Sequence, residues 1–186
     1  MTVSLSPARR SACRTVVACI AILVLAALAQ ADATGTKVAT KPTAIRVPQS
    51  PPQGGAASVE QAVFEKVNAI RRERGLAPVR LASDLLTVAR NHSEEQARRN
   101  WMTHRSADGK SAGERLDAAQ VAWLRYGENV GLVKGYSDPA ATVVEAWLHS
   151  PGHAANILDS QLAESAVGVA QAADGTYFLT QVFVTR

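Results

Sequence analysis

The chain has almost no cysteine. Of its 186 residues only Cys13 and Cys19 are cysteines. Both lie in an N-terminal segment that we interpret as a signal peptide, so the mature protein would contain no thiol. Disulfides, zinc sites built on cysteine and thiol catalysis are therefore excluded for the mature chain. Its stability must come from a packed core.

Residues 1–33 have the pattern of a secretory signal peptide. Three arginines precede a nearly continuous apolar run at residues 16–29; they are Arg9, Arg10 and Arg14. Small residues at Ala29–Ala33 then form small-x-small cleavage patterns. An uncleaved anchor is the alternative, but the run is shorter than the roughly 20 residues of a membrane span. We expect a secreted or periplasmic protein with no stable membrane span after cleavage.

Positive charge is concentrated in the same segment. The chain has 20 lysines and arginines against 16 aspartates and glutamates, which gives a formal charge of +4. Without the three N-terminal arginines the balance is 17 against 16, or +1. The sequence also lacks the basic patch interleaved with aromatic residues that is typical of nucleic-acid surfaces. We therefore expect no nucleic acid among the partners.

A segment without apolar periodicity follows. Residues 34–58 contain four prolines and a Gly54-Gly55 pair among polar residues. Such a composition buries too little apolar surface to offset the entropy cost of ordering. We predict a disordered linker here. It would either hold the domain away from an envelope surface or serve only as a leader.

Residues 59–186 have the length of one domain. Apolar residues at helical spacing from Val59 to Ile70 predict a first helix, which Gly75 ends. Further signals predict three more helices: one N-capped by Ser83, one at residues 112–119, and one that starts at Ser137-Asp138-Pro139 and ends at Pro151-Gly152. Two strands close the chain, at residues 166–170 and 177–184, with a turn at Asp174-Gly175. Helices followed by strands indicate an α+β domain.

All four histidines of the chain fall in this domain. His92 lies on the second predicted helix and has the features of a packing or surface residue. His149 is near a helix end, where the macrodipole favours a cation. His104 follows a helix exit, and His153 follows a Pro-Gly turn. Each position, taken alone, has an ordinary structural explanation.

Two glycine-containing segments present side chains that are used in chemistry. Glu128 and Asn129 follow Gly127 in a predicted short loop, and the turn at Pro151-Gly152 delivers His153. Imidazole and carboxylate are the groups used for proton transfer and for binding divalent metals. Because both segments lie outside apolar periodic runs, they are typical of loops on which a scaffold presents a site.

These residues belong to a longer set of motifs in a fixed order. The motifs are Trp101-Met102-Thr103-His104, Gly127-Glu128-Asn129, Trp147 with Ser150-Pro151-Gly152-His153, Asn156-Ile157-Leu158, and residues 177–183. Together they resemble the signatures of the CAP superfamily, the cysteine-rich secretory, antigen 5 and pathogenesis-related 1 proteins, also called the SCP domain. The resemblance covers about residues 60–186 and points to a short, cysteine-free bacterial branch. It implies a three-layer α–β–α sandwich with an open cleft.

In many members of that superfamily two histidines and two glutamates line the cleft. The resemblance implies that His104 and His153 are the two histidines and that Glu128 is the first glutamate. The second glutamate normally lies three residues after the tryptophan, where this chain has Ser150. Glu145 is close in sequence, but helical spacing points it elsewhere. The chain therefore departs from the full set.

Two imidazoles form half of a zinc site, because zinc normally takes four ligands. We expect His104, His153 and water to hold Zn²⁺ or another divalent cation weakly. Glu128 would either orient one imidazole or act as a general base to a water. Ser150 lies near His153, but the sequence shows no third group to orient a nucleophile pair. The sequence establishes no cofactor beyond this expectation.

Two functions of different classes remain. The first is a secreted binding module for a small apolar or cell-envelope ligand, and the alternative is a metal-assisted hydrolase of peptide or cell-wall material. The cleft residues would be His104, Glu128, Asn129, Ser150 and His153. The missing glutamate and the absent nucleophile favour binding. A third interpretation holds that the polar cluster is structural and satisfies its own hydrogen bonds.

Overall fold

A computed structural model describes residues 55–186 of the chain. The predicted signal peptide at residues 1–33 lies outside the described residues, and so does the predicted linker up to residue 54. The last part of that linker prediction was wrong, because residues 56–58 already belong to the first helix.

Residues 55–186 form five helices and four strands. The helices are α1 (Ala56–Glu73), α2 (Ser83–Arg99), α3 (Ala112–Ala118), α4 (Pro139–His149) and α5 (Pro151–Leu158). The strands are β1 (Arg80–Leu81), β2 (Arg125–Val133), β3 (Glu164–Gln171) and β4 (Tyr177–Thr185).

The four strands form one sheet in the order β1-β3-β4-β2. Strand β1 runs parallel to β3, and the other two neighbouring pairs are antiparallel. Residues 177–184 of the inner strand β4 are all buried. Its nearly continuous apolar sequence follows from this position, because both of its faces are covered. Strand β2 lies at one end of the sheet, and no strand of residues 55–186 pairs with its outer edge.

Helices cover both faces of the sheet. On one face α1, α4 and α5 pack with Val63, Trp147 and Phe183 in the larger apolar cluster. On the other face α2 and α3 pack with Leu85 and Val182 in a second cluster. Adjacent residues of β4 contribute to opposite clusters, as the two-residue period of a strand requires. The predicted α+β class and three-layer α–β–α sandwich are confirmed.

Most helix signals were interpreted correctly. Asp138 caps α4 by accepting a hydrogen bond from the Ala141 N–H at 2.8 Å, and Pro139 occupies the first turn. The third helix begins at a capping box between Ser111 and Glu114. The prediction for α2 was wrong by one residue, since Ala82 is the N-cap and Ser83 is already helical.

Two predictions about the site segments were wrong. Gly127-Glu128-Asn129 is not a loop but part of strand β2. Pro151-Gly152 does more than end a helix, because Pro151 begins α5 and places His153 in its first turn. A proline lacks the N–H that an interior position needs but that a first-turn position does not use, so one residue can both stop a helix and start the next.

Glycine in β2 reflects close packing rather than a turn. A Cβ on Gly131 would lie 2.3 Å from Val143 Cγ2, and a Cβ on Gly127 would lie 2.7 Å from Asn156 Oδ1. The two glycines therefore let α4 and α5 approach the strand. In the sequence, glycines with this role look the same as the glycines of a loop.

Gly168 on β3 gives a test of the packing between helix and sheet. A Cβ there would lie 2.2 Å from the Arg90 backbone nitrogen and 2.3 Å from the Ala89 carbonyl carbon. Because backbone cannot move aside as a side-chain end can, we expect Gly168→Ala to lower the free energy of unfolding by more than about 3 kcal/mol. Urea unfolding followed by circular dichroism measures this.

The matched control is Gly152→Ala. No atom lies within 4 Å of a Cβ at Gly152, and this residue is helical. The control is expected to be neutral or to stabilise by up to about 1 kcal/mol. Equal stabilities for the two variants would contradict the close crossing of α2 over β3.

Candidate functional site

Helix α2 positions His104 through the loop that follows it. Asn100 ends α2 in the left-handed conformation, with φ of 48°. Two buried side chains of α2 then hold Thr103: Gln96 Oε1 accepts from the Thr103 N–H at 3.0 Å, and His92 Nε2–H donates to the Thr103 carbonyl at 2.8 Å. His92 is thus a packing residue, which was one of the two roles predicted for it. His104 is the next residue along the chain.

Glu128 reaches the His104 side chain from strand β2. Its side chain is only 4% exposed, and its Oε1 accepts a hydrogen bond from His104 Nδ1–H at 2.9 Å. Because a carboxylate only accepts, this contact fixes the proton of a neutral His104 on Nδ1 and leaves Nε2 as the free ring nitrogen. Glu128 therefore orients the imidazole through its other nitrogen, the role that was one of the two predicted for it.

Arg115 of α3 holds the second oxygen of Glu128. Its Nη2 forms an ion pair with Glu128 Oε2, and its side chain is 10% exposed. The Nη1 group donates to the His104 carbonyl at 3.1 Å, to Ser106 Oγ at 3.2 Å and to the Lys110 carbonyl at 3.0 Å. One guanidinium thus joins β2, α3 and the loop that carries His104. Both Glu128 oxygens are occupied.

The His153 imidazole completes a pair of rings. The ring centroids of His104 and His153 are 5.7 Å apart, with an angle of 35° between the planes. Burial lowers the pKa of His153 below its ordinary value, the neighbouring His104 lowers it further, and Glu128 acts in the opposite direction. A lowered pKa keeps this imidazole neutral near pH 7, with a lone pair on one nitrogen.

Two asparagines tie α5 to β2 beneath the rings. Asn129 Nδ2 donates to the His153 carbonyl at 3.2 Å. Asn156 Nδ2 donates to the Glu128 carbonyl at 3.0 Å and to Asn129 Oδ1 at 2.9 Å. Asn129 is completely buried, so it supports the site from behind and does not line it.

The remaining predicted residues form no hydrogen bond with the ring pair within residues 55–186. Ser150 lies between α4 and α5 and forms no side-chain hydrogen bond with His153 within residues 55–186. Glu145 points to solvent, as its helical position predicted, and its carbonyl accepts a hydrogen bond from His149 Nδ1–H at 2.8 Å. His149 is exposed at the end of α4, in agreement with its structural explanation.

Arg115 and the supporting role of Asn156 were not predicted from the sequence. Arg115 is one of many arginines on helices, and nothing local marks it as the counter-ion of a strand residue 13 positions later. Asn156 lies in one of the recognised motifs, but its two contacts on β2 depend on α5, a helix that was not predicted.

A mainly apolar cavity of about 440 Å³ adjoins His153. Strand β2, helix α4 and the loop after α2 form its walls. The lining residues are Met102, Val130, Gly131, Leu132, Val133, Thr142, Val143, Ala146, Trp147, Ser150 and His153. Met102 and Leu132 are about half exposed and so lie where the cavity meets solvent.

A second cavity, of about 660 Å³, is lined in part by Arg115. It is bounded by α2, α3 and residues 106–110, and it carries several charged side chains, including Glu95 and Lys110. Neither His104 nor His153 lines it. The cavity beside His153 is therefore the one associated with the predicted site.

The donor set around the rings fits a divalent cation only in part. Within the described range, residues 55–186, no group of three or more His, Cys, Asp or Glu side chains is arranged to hold a metal ion. Glu128 is a poor third ligand, because it is only 4% exposed and already contacts His104 with one oxygen and Arg115 with the other. Two imidazoles remain, which is fewer than the protein ligands of a stable zinc site.

Comparison with known proteins agrees with this fold. The sequence profile of the cysteine-rich secretory protein family matches residues 64–183. The "Uncharacterized membrane protein YlbC" of Bacillus subtilis is 35% identical over 128 residues, and the "Uncharacterized protein YkwD" of the same organism is 31% identical over 127 residues. Each match covers 68% of this chain but only 34% and 47% of those relatives, so the chain spans between a third and a half of their lengths.

Solved structures give the same result. An extracellular protein containing a SCP domain from Bacillus anthracis has a TM-score of 0.61 and 27% identity, over 70% of this chain and 41% of that one. An outer surface protein of Borrelia burgdorferi has a TM-score of 0.65 over 72% of this chain and 96% of that one. At 16% identity the second similarity shows the fold alone.

The ion pair between Glu128 and Arg115 can be tested by removing one charge. Glu128→Gln leaves a buried guanidinium without its counter-ion, and we expect the free energy of unfolding to fall by about 3 to 5 kcal/mol. Urea unfolding at pH 7 measures the loss. The double variant Arg115→Met/Glu128→Gln removes both charges and should recover much of it. A loss below about 1 kcal/mol in the single variant would show that the pair does not hold β2 to α3.

Proposed function

The chain belongs to the cysteine-rich secretory protein family, and from that premise we propose that it is a secreted binding module. Its ligand is a small apolar or cell-envelope molecule held in the cavity beside His153. The observation that carries this proposal is the apolar cavity of about 440 Å³ with His153 and Ser150 among its few polar lining groups. Ligand sites commonly have volumes of roughly 300–1,000 Å³, apolar walls and a small number of polar groups that fix orientation.

The polar groups of the site support binding more than proton transfer. Glu128 is only 4% exposed and contacts His104 with one oxygen and Arg115 with the other, so it is poorly placed to take a proton from a water. Ser150 has no hydrogen bond to His153 that would activate it. These contacts weigh against the alternative of a metal-assisted hydrolase, which needs a free base or an activated nucleophile.

Among residues 55–186 no helix combines the length and apolar character that crossing a bilayer requires. Secretion itself is supported from two sides. The N-terminal segment has the pattern of a signal peptide. The similar protein from Bacillus anthracis is described as extracellular and that from Borrelia burgdorferi as an outer surface protein, whereas one Bacillus subtilis relative is named a membrane protein.

A weak divalent-cation site at the ring pair is the second part of the proposal. His104 Nε2 is free because Nδ1 is bonded to Glu128, and His153 is kept neutral by burial. Two imidazoles with water in the other positions would bind Zn²⁺ more weakly than a closed four-ligand site. We assign no reaction step to this cation; it would serve as a polar anchor at the end of the apolar cavity.

Filling the cavity tests the apolar site. Ala146 lines the cavity from the exposed side of α4, so Ala146→Trp should occupy it without disturbing the core. We expect the affinity for the apolar fluorescent probe 1-anilinonaphthalene-8-sulfonate, followed by its emission, to fall by about tenfold or more. Glu145→Trp adds the same side chain one residue away, outside the cavity, and should bind like the parent. The proposal fails if the parent does not bind the probe or if the two variants bind equally.

Calorimetric titration with Zn²⁺ tests the cation site. We expect one weak binding event in the parent, its loss in His104→Ala and in His153→Ala, and its retention in His149→Ala, the exposed histidine at the end of α4. Heats that are the same in all four proteins would reject a site at the ring pair and leave the cavity proposal to its own test.

A further inference from the structure

The cavity beside His153 follows the free edge of strand β2. Four consecutive residues of that strand, 130–133, line it. Successive side chains of a strand point to opposite faces of the sheet. Residues from both faces can border one cavity only where it runs along the strand's edge. Among the strands of the described range, none pairs with β2 on that side. A ligand in the cavity therefore lies beside β2 backbone.

The hydrogen bonds of β3 show which way the backbone groups point. The Ser165 carbonyl accepts from the Ala82 N–H at 3.2 Å, and the Val169 N–H donates to Glu60 Oε1 at 3.1 Å. Both groups point away from β4. In an antiparallel ladder each residue directs its N–H and its carbonyl to the same side, and successive residues alternate. The backbone N–H and carbonyl groups of odd-numbered β3 residues therefore point away from β4. Those of even-numbered residues form hydrogen bonds with β4.

This alternation continues through the sheet to β2. Even-numbered residues of β4 pair with β3, so its odd-numbered residues pair with β2. Leu179 is opposite Gly131 in the observed register. Odd-numbered residues of β2 thus form the backbone hydrogen bonds with β4. The backbone groups of Glu128, Val130 and Leu132 point to the free edge.

Two side chains confirm this direction and close part of the edge. Asn156 Nδ2 donates to the Glu128 carbonyl at 3.0 Å, and Trp147 Nε1 donates to the Val130 carbonyl at 2.7 Å. The next outward residue, Leu132, has no partner within residues 55–186 for its N–H or its carbonyl, and the Val130 N–H is also without one. The unpaired groups thus occur together at the part of β2 that lines the cavity.

We propose that this cavity binds the C-terminal end of an extended apolar peptide, which pairs antiparallel with β2 at Leu132. The inference rests on the proposed function, because it names the ligand of the same cavity. One ligand residue opposite Leu132 would exchange two hydrogen bonds with it, as an added strand does. A parallel ligand would instead need the Val130 carbonyl, which Trp147 already occupies.

The closed part of the edge determines where the ligand ends. Beyond Val130 the side chains of Trp147 and Asn156 cover the strand, so a paired chain cannot continue in that direction. In the antiparallel orientation the ligand's C-terminus points that way. Its carboxylate then accepts from the Val130 N–H, on the side of the cavity that His153 lines. The flanking ligand side chains meet Met102 and Leu132 on one face and Val143 and Trp147 on the other.

The test uses the full chain and the probe N-acetyl lysyl-valyl-leucyl-valine, fluorescently labelled on lysine, with binding followed by anisotropy. The key variant is Leu132→Pro. It removes an N–H that carries no ladder bond, and Gly131 before it has no Cβ for the proline ring to meet, so the sheet should tolerate it. We expect Leu132→Pro to bind the peptide about tenfold more weakly than Leu132→Ala, which keeps the N–H.

Changes in the peptide test the same contacts without changing the protein. Converting the C-terminal carboxylate to an amide should weaken binding about tenfold, and N-methylation of the residue opposite Leu132 should have a similar effect. These two peptides keep the inference testable if Leu132→Pro does not fold. Equal affinity for all three peptides, or equal affinity of the two Leu132 variants, would overturn it.

Binding of 1-anilinonaphthalene-8-sulfonate separates this inference from the proposed function. Leu132→Pro and Leu132→Ala each remove the Leu132 side chain from the cavity wall, so the two variants should bind the probe with about equal affinity. A parent that binds the probe but not the peptide would overturn the peptide inference and leave an apolar-ligand module in place. A parent that binds neither would overturn both.

Discussion

The rest of the site depends on the contacts that the Glu128 carboxylate makes with Arg115 and His104. This carboxylate lies on an end strand of the sheet and is almost completely buried, where an unpaired charge would be very costly. Arg115 forms an ion pair with one oxygen, and His104 Nδ1–H donates to the other. One carboxylate therefore fixes the positions of α3, of the loop after α2 and of β2 relative to one another. The orientation of the outward imidazole nitrogen follows from that arrangement.

The same contact limits what the site can do. A carboxylate that is fully engaged in orienting its neighbours is a poor general base, and two imidazoles alone make a weak metal site. The adjacent apolar cavity and the unpaired backbone of β2 supply what the polar cluster lacks, namely surface area and directional hydrogen bonds. Ligand recognition, with the histidines as a polar anchor at one end, is the function that we propose for these groups.

Prediction from sequence succeeded where a signal is local. The apolar spacing from Val59 onward, the Asp138-Pro139 start and the Asp174-Gly175 turn each depend on a few neighbouring residues, and each is found in the structure. It failed where one residue type has two uses. The glycines of β2 resembled a loop but serve close packing of α4 and α5, and Pro151 resembled a stop but starts α5.

The sequence by itself determined the family and the layered α+β fold, and it selected His104, Glu128 and His153 as candidate site residues, because motif order and apolar periodicity are properties of the chain alone. Only the tertiary structure decided that Arg115 is the partner of Glu128, that Asn129 is buried behind the site, and that the free edge of β2 borders a cavity. These depend on which residues meet across long sequence separations, and no local spacing encodes such contacts.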